Sequence, residues 1–190
     1  MFDLRVATPS RWLEIVLMDF DTFILDHTLC ERKASAMGMS LVAKYPDKSL
    51  ILDPLILFAR EELEHFHIMF RLCAERGLTL PRDTKDAYVR GLQASSGGSN
   101  DALFLDRLLI PGIVEARGCE RLQMVTDALS EGALKETYRD VTRAEARHHA
   151  LFYRLARHYF DADRVRQRSD YLLDREAELV EQIPHRAAVH

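Results

Sequence analysis

The sequence predicts an all-α fold in which four long helices form a bundle, and three observations carry this prediction. Apolar residues recur at alternating steps of three and four along four segments, which is the pattern of helices that bury one face. Few stretches alternate with the two-residue period of a β-strand. The links between the segments are short, long and short in turn, which restricts how the helices can be connected.

The four segments are long enough to run the length of a bundle. They cover approximately residues 10–44 (helix A), 49–76 (helix B), 101–126 (helix C) and 131–160 (helix D). A fifth, polar helix is expected over about 163–182, ended by Pro184. Pro111 lies inside the helix C pattern and is expected to kink that helix or to mark a late start.

The connections predict the topology. The links at about 45–48 and 127–130 are short, so helices A and B, and helices C and D, are expected to be antiparallel neighbours. The link from 77 to 100 is long enough to cross a bundle helix of roughly 36 Å. Two hairpins joined by one long crossover form the ferritin-like arrangement. The sequence therefore predicts one domain over 1–190, with the bundle at about 10–160 and a C-terminal extension at 161–190.

Composition excludes several classes of protein. The chain has 190 residues, 47% of them apolar and 29% charged, which is typical of a soluble globular protein. No apolar stretch reaches about 18 residues and the first residues lack a secretory pattern, so no membrane association is expected. The three cysteines form no CxxC pair, which argues against a disulfide framework and favours a cytoplasmic location. The net charge of −4 gives no overall attraction for nucleic acid.

Two Glu-x-x-His motifs indicate a metal site: Glu62 with His65 in helix B, and Glu145 with His148 in helix D. Residues three apart lie on one helix face, so each pair can hold one side of a metal pair. The motif alone is weak, because chance gives about 0.6 such pairs in a chain of this composition. Both pairs, however, fill consecutive positions of the apolar seam, where ionisable groups cost several kcal/mol each unless they are paired or bound to metal.

Helices A and C each add one glutamate to the seam, Glu31 and Glu115. Glu31 precedes Glu62 by 31 residues and Glu115 precedes Glu145 by 30, a near-equality expected of two similar hairpins. One Glu from each of two helices plus Glu-x-x-His from each of the other two is the di-iron or di-manganese carboxylate pattern. Glu120 is the alternative to Glu115, but the short C–D turn places Glu115 level with the helix D motif and is the reason to prefer it.

The predicted ligands are four carboxylates and two imidazoles. This set suits two iron ions, with manganese as the alternative, better than zinc or calcium, and leaves positions open for dioxygen. A third histidine, His27, lies one turn from Glu31 and is expected to hydrogen-bond a ligand rather than to bind metal. A polar core without metal is the other interpretation. The six predicted ligands are Glu31, Glu62, His65, Glu115, Glu145 and His148.

Four runs of sequence around these residues also resemble a known family, the MiaE-type tRNA hydroxylases. The runs are DHTLCERKA (26–34), AREELEHF (59–66), GIVEARGCERL (112–122) and RAEARHHALFY (143–153). The resemblance covers about 10–160 and implies a ferritin-like, non-haem di-iron monooxygenase. It implies hydroxylation of the isopentenyl group of 2-methylthio-N6-isopentenyladenosine, next to the anticodon in tRNA. The family's ligands fall on the six residues that the pattern selects.

The resemblance further implies three partners: the anticodon stem-loop of tRNA, dioxygen, and a separate reductase or ferredoxin, since the chain has no flavin or nicotinamide motif. Arg139, Arg143 and Arg147 follow at i, i+4 and i+8, about 200° around the helix from the ligand face, and are candidates for phosphate contacts. The alternatives on this fold are an iron store or ferroxidase, a manganese catalase or another di-metal oxidase. A metal-free helical RNA-binding or scaffold protein is the third class.

Overall fold

The structure is a computed structural model, and it describes residues 3–83 and 85–190. Within these ranges the regular structure is entirely helical, which confirms the predicted all-α class. The helices are α1 (Ser10–Met18), α2 (Phe20–Lys44), α3 (Ser49–Glu75), α4 (Ala87–Ala94), α5 (Asn100–Ala128), α6 (Ala133–Arg157) and α7 (Ala162–Gln182). None of the helices in the described ranges has the length and apolar character needed to cross a membrane.

The chain divides into two compact units, which we name after their hairpins. The α2–α3 unit contains residues 14–83 and 185–189, and the α5–α6 unit contains 3–13, 85–184 and 190. The single domain expected over 1–190 stays a prediction. Helix B, the short 45–48 link and the helix at 163–182 lie where the sequence places them, within one residue at each end.

Predicted helix A is interrupted at Asp19, so the expectation of one continuous helix over 10–44 was wrong. Asp19 has φ −136° and ψ 60°, and its carboxylate accepts a hydrogen bond from the backbone N–H of Thr22 at 3.4 Å. Aspartate favours this N-cap conformation, because its side chain satisfies a backbone donor that a new helix leaves open. The result is a short α1 followed by the long α2.

The two helices of the α2–α3 unit approach closely at Gly38. A Cβ atom at this position would lie 3.0 Å from Phe58 Cδ1 and 3.2 Å from Ala59 Cβ. The Ser35 hydroxyl, one turn earlier, donates to the Ala59 carbonyl oxygen at 2.7 Å. Small residues on α2 therefore set its distance from α3.

In the α5–α6 unit, Pro111 lies inside a helix that runs without a break from Asn100 to Ala128, so a late start of helix C was wrong. Buried residues surround it, among them Leu108, Leu109 and Ile113, and their packing holds the helix where the proline removes one hydrogen bond. The link to α6 ends at Gly132, whose φ of 149° favours glycine.

The long connection carries a helix that the sequence pattern did not predict. Asp86 begins α4, its carboxylate accepting from the N–H groups of Tyr88 at 2.8 Å and Val89 at 3.3 Å. Helix α4 packs against α7, where Gly91 meets the side chain of Leu179. The region 161–190 is therefore more than a polar extension, because α7 buries one face within this unit.

Candidate metal centre

Three of the predicted ligands converge in the α2–α3 unit, and we call them the α2–α3 triad. Glu31 comes from α2, and Glu62 and His65 come from adjacent turns of α3. One donor atom of each lies within 4.8 Å of the others. Nδ1 of His65 is 3.5 Å from Oε2 of Glu31 and 3.9 Å from Oε2 of Glu62. The four-residue turn between the helices is what brings Glu31 level with the Glu-x-x-His pair.

The α5–α6 unit repeats the arrangement with the α5–α6 triad. Glu115 comes from α5, and Glu145 and His148 from α6. Their donor atoms also lie within 4.8 Å of one another, and Nδ1 of His148 is 3.5 Å from Oε2 of Glu145. All six residues of the two triads are at most 8% exposed. Each hairpin therefore builds the same cluster of two carboxylates and one imidazole.

The competing carboxylate Glu120 has a different environment from Glu115. Its Oε1 accepts from the backbone N–H of Thr8 at 3.0 Å, and its Oε2 accepts from the Thr8 hydroxyl at 2.7 Å. Nη1 of Arg117 donates to the same Oε2 at 2.5 Å. Both oxygens of Glu120 are therefore engaged outside the α5–α6 triad, whereas Glu115 lies within it.

His27 lies beside the α2–α3 triad, as its position one turn from Glu31 predicts. Nε2 of His27 is 2.5 Å from Oε1 of Glu31, and the imidazole is 1% exposed. Its ring lies against Phe23, with a centroid distance of 6.0 Å. The ring contact and the close approach to Glu31 restrict the imidazole to a position beside one Glu31 oxygen, and the expected hydrogen bond stays a prediction.

The donor chemistry of each triad fits a metal ion. Buried carboxylates that lie this close repel one another and lose hydration, a cost of several kcal/mol each unless a cation compensates it. Oxygen and imidazole donors together suit iron or manganese. Among the described residues no thiol belongs to either triad. Cys119 stays a neutral thiol at ordinary pH, because burial and then the charges of Glu145 and Glu120 raise its pKa to about 11.

The three arginines predicted to contact phosphate lie on the outer side of α6. Arg139 pairs with Glu136, and its Nη2 is 3.8 Å from Glu131. Nη1 of Arg143 is 3.4 Å from Asp140. Arg147 is exposed and donates to the carbonyl of Arg143 at 3.3 Å. Arg139 therefore has two acidic neighbours, and Arg143 has one, at a longer distance than that between Arg139 and Glu136.

Sequence reasoning missed a buried ion pair in the α5–α6 unit. Nε and Nη2 of Arg117 donate to the two oxygens of Glu176 on α7 at 2.8 and 3.0 Å, and both side chains are fully buried. The hydroxyl of Tyr88 on α4 donates to Glu176 at 3.0 Å. Burial alone lowers the pKa of Arg117, but the hydrogen bonds and charge of Glu176 raise it above its ordinary value. The only sequence signal was a Glu on the face of α7 that also carries Leu172 and Leu173.

Known proteins resemble this chain over nearly its whole length. The model of the tRNA-(MS[2]IO[6]A)-hydroxylase (MiaE) family matches residues 2–190. The chain belongs to this family. It is 32% identical over 178 residues to a tRNA 2-(methylsulfanyl)-N(6)-isopentenyladenosine(37) hydroxylase of Pseudomonas putida, covering 94% of this chain and 86% of that protein. It is 24% identical over 226 residues to the Salmonella typhimurium protein of the same name, covering 93% and 83%.

A solved structure extends the likeness to the fold of this MiaE-family chain. It is described as protein 43 with aldehyde deformylating oxygenase activity, from Synechococcus. The TM-score is 0.91 at 28% sequence identity, and the match covers 97% of this chain and 92% of that one. This likeness confirms the ferritin-like bundle that the sequence predicts.

Proposed function

We propose that this chain hydroxylates the isopentenyl group of 2-methylthio-N6-isopentenyladenosine in tRNA. The observation that carries the proposal is a pair of buried carboxylate–imidazole triads in a member of the MiaE family. The overall reaction inserts one atom of dioxygen into a C–H bond of the isopentenyl group. Two electrons and two protons reduce the other atom to water. The electrons come from a separate donor protein, because the chain has no flavin or nicotinamide motif.

The six residues of the two triads are proposed to bind two iron ions, as the resemblance implies. Each triad supplies half of the ferritin-like di-metal pattern, one Glu from one helix and Glu-x-x-His from the next. The near-equal separations within the two hairpins support this assignment. Bound iron would supply the activation of dioxygen. Iron rather than manganese is proposed because the resemblance is to a di-iron family.

The residues of the chain contribute positioning and exclusion of water. The six proposed ligands are buried from water in their hairpins, and the imidazole of His27 lies 2.5 Å from one oxygen of Glu31. Burial also means that the modified adenine must leave its stack in the anticodon loop before its side chain can react. The tRNA-modifying role gives the reason to propose a cytoplasmic location.

The outer face of α6 is proposed to contact the tRNA backbone. Arg143 and Arg147 lie at the axial level of Glu145 and His148 but point away from them. Arg139 is expected to contribute less than Arg143, because Glu136 lies closer to Arg139 than Asp140 does to Arg143.

Nucleoside mass spectrometry tests the proposed function. In tRNA from cells that lack this protein, the hydroxylated isopentenyl adenosine should be missing and its unhydroxylated precursor should accumulate. Wild-type protein should restore the product, whereas Glu62→Ala should not, because it removes a carboxylate from the α2–α3 triad. Identical nucleoside profiles with and without the protein would contradict the substrate assignment.

The solved-structure likeness favours a second candidate, oxygen-dependent deformylation of an aldehyde on the same fold. A purified, iron-loaded protein supplied with reductant and dioxygen distinguishes the two activities. Turnover of an aldehyde, with none of the tRNA nucleoside, would favour the second candidate.

A further inference from the structure

The outer face of α3 exposes an unusual amount of apolar surface. Six large hydrophobic side chains of this one helix are between 38% and 55% exposed. They are Leu50, Ile56, Leu57, Leu63, Ile68 and Phe70. The opposite face carries Glu62 and His65 and is buried, so this surface is separate from the triad. Apolar surface gathered on one helix commonly marks an interaction site.

Four charged residues run along the same outer face: Asp53, Arg60, Glu64 and Arg71. All four are exposed, and none forms an ion pair with another residue in 3–83 or 85–190. Asp53 and Arg71 are separated by five helical turns and Arg60 and Glu64 by about one, so each pair lies on a common line along the helix. The midpoint of both pairs is position 62.

The apolar residues share this symmetry. Leu57 and Ile68 lie about three turns apart on one side of the charged line. Ile56 and Phe70 lie about four turns apart on its other side. The midpoint of the first pair falls between positions 62 and 63, and the midpoint of the second pair falls at position 63. The exposed Leu63 occupies that position. Oppositely charged and apolar residues are thus each placed symmetrically about one point of the helix.

We propose that a second copy of this chain docks along α3, antiparallel and about a two-fold axis near Leu63. A two-fold contact brings position i of one copy opposite position j of the other, and j opposite i. Arg60 then faces Glu64 of the second copy, and Asp53 faces its Arg71. Each charge pair forms twice, and Leu63 of one copy meets Leu63 of the other.

The surface area that the two α3 helices bury determines how tightly this dimer can associate. A single helix pair buries less than the roughly 800 Å² per partner of a standard stable interface, so the association is expected to be reversible and concentration-dependent. A shallow antiparallel crossing of about 20° would allow the matched residues to meet along several turns. The contact leaves the inward face of α3 unchanged and does not depend on the proposed function.

Sedimentation velocity across roughly 5 to 500 μM tests the dimer, with wild type expected to shift from monomer toward dimer. Arg60→Glu should weaken association at least about tenfold, because it replaces two attractions with two repulsions. Glu64→Arg should do the same. The double variant R60E/E64R should restore association, because the swapped charges again face each other in both copies.

Arg11→Glu is the matched control, since it makes the same charge change at an exposed position on α1. Leu63→Asp should abolish the dimer by placing two carboxylates at the axis. Thermal melts followed by circular dichroism show whether each variant remains folded. A wild type that stays monomeric throughout, an R60E variant that behaves like R11E, or a double variant that stays as weak as the single variants would each overturn the proposal.

Discussion

Glu115 and Glu120 lie on the same helix five residues apart, but they have different neighbours. Glu115 belongs to the α5–α6 triad, while Thr8 and Arg117 hold both oxygens of Glu120. At the scale of single residues, a carboxylate on the right helix is therefore not enough to make a candidate ligand, and Glu120 is also more exposed than Glu115. The group must also keep its oxygens directed toward the other donors of the site.

Iron analysis after anaerobic reconstitution tests which of the two glutamates, Glu115 or Glu120, is a metal ligand. We expect about two iron ions per chain for wild type, if both triads fill. Glu115→Ala should lower the stoichiometry, because it removes a donor from the α5–α6 triad. Glu120→Ala should retain the iron but melt at a lower temperature, because Arg117 and Thr8 lose an acceptor. Loss of iron only in the Glu120 variant would reverse the assignment.

The buried pair of Arg117 and Glu176 makes a second prediction at this scale. Glu176→Gln keeps the shape of the side chain but removes the fully buried one of the two carboxylate charges that contact the Arg117 guanidinium. The free energy of unfolding should fall by about 3 kcal/mol, as for other broken buried ion pairs. Denaturant unfolding measures it. The exposed pair of Arg175 and Glu178 offers the control, since Glu178→Gln should change stability little.

At the scale of elements, close packing depends on where small residues occur. Gly38 lets α2 approach α3 because a Cβ would already be 3.0 Å from Phe58. A larger side chain there must push the helices apart, and the Glu31 carboxylate would move with α2. The hairpin geometry and the spacing of the triad are therefore linked through a residue that is not a ligand.

Gly38→Val tests this link. We expect a loss of about 1–3 kcal/mol in the free energy of unfolding, as for overpacked cores, together with weaker iron binding. Ala36→Val, on the exposed side of the same helix, controls for the β-branched side chain. If the two variants unfold at the same denaturant concentration, the close approach at Gly38 does not limit the packing.

At the scale of the whole molecule, the net charge of −4 opposes nucleic acid, so tRNA binding must depend on local positive surface. We expect Ala in place of Arg139, Arg143 and Arg147 together to weaken binding of an anticodon stem-loop. The slope of log K against log salt should become shallower by about 0.7–0.9 for each phosphate that the variant no longer neutralises. Arg139→Ala alone should have a smaller effect than Arg143→Ala, because Glu136 lies closer to Arg139 than Asp140 does to Arg143. Fluorescence anisotropy at several salt concentrations measures the affinity and its salt dependence. An unchanged slope would show that the three arginines do not contact tRNA phosphates.

The features that the sequence predicts well are those that the repeat of apolar residues along one helix determines. Phe58, Met69, Val141 and Phe152 flank the two motifs on the seam and are all buried, because a 3.6-residue repeat fixes the inward face without knowledge of the partner. The same repeat placed both Glu-x-x-His pairs inside their hairpins. Assigning them to metal still needed the chemical argument that buried carboxylates require a cation.

The features that sequence missed depend on interactions between distant segments. The break at Asp19 results from a local choice between helix and cap, which periodicity does not resolve. Helix α4 is short, and its buried face meets α7, far along the chain. Glu176 resembles a solvated residue until Arg117 is known to lie against it. Pairings of this kind cannot be read from a single helix.

The Arg117–Glu176 ion pair also bears on the order in which the chain can mature as it is synthesised. The two residues are 59 positions apart, so the ribosome makes the cation well before the buried carboxylate that it contacts. Until α7 emerges, the nearby carboxylate of Arg117 is the partly exposed Glu120, so Arg117 is more stable in contact with water than fully buried. The α5–α6 unit is therefore expected to close late, after α7 has left the exit tunnel, whereas the α2–α3 hairpin can pack its two long helices together much earlier.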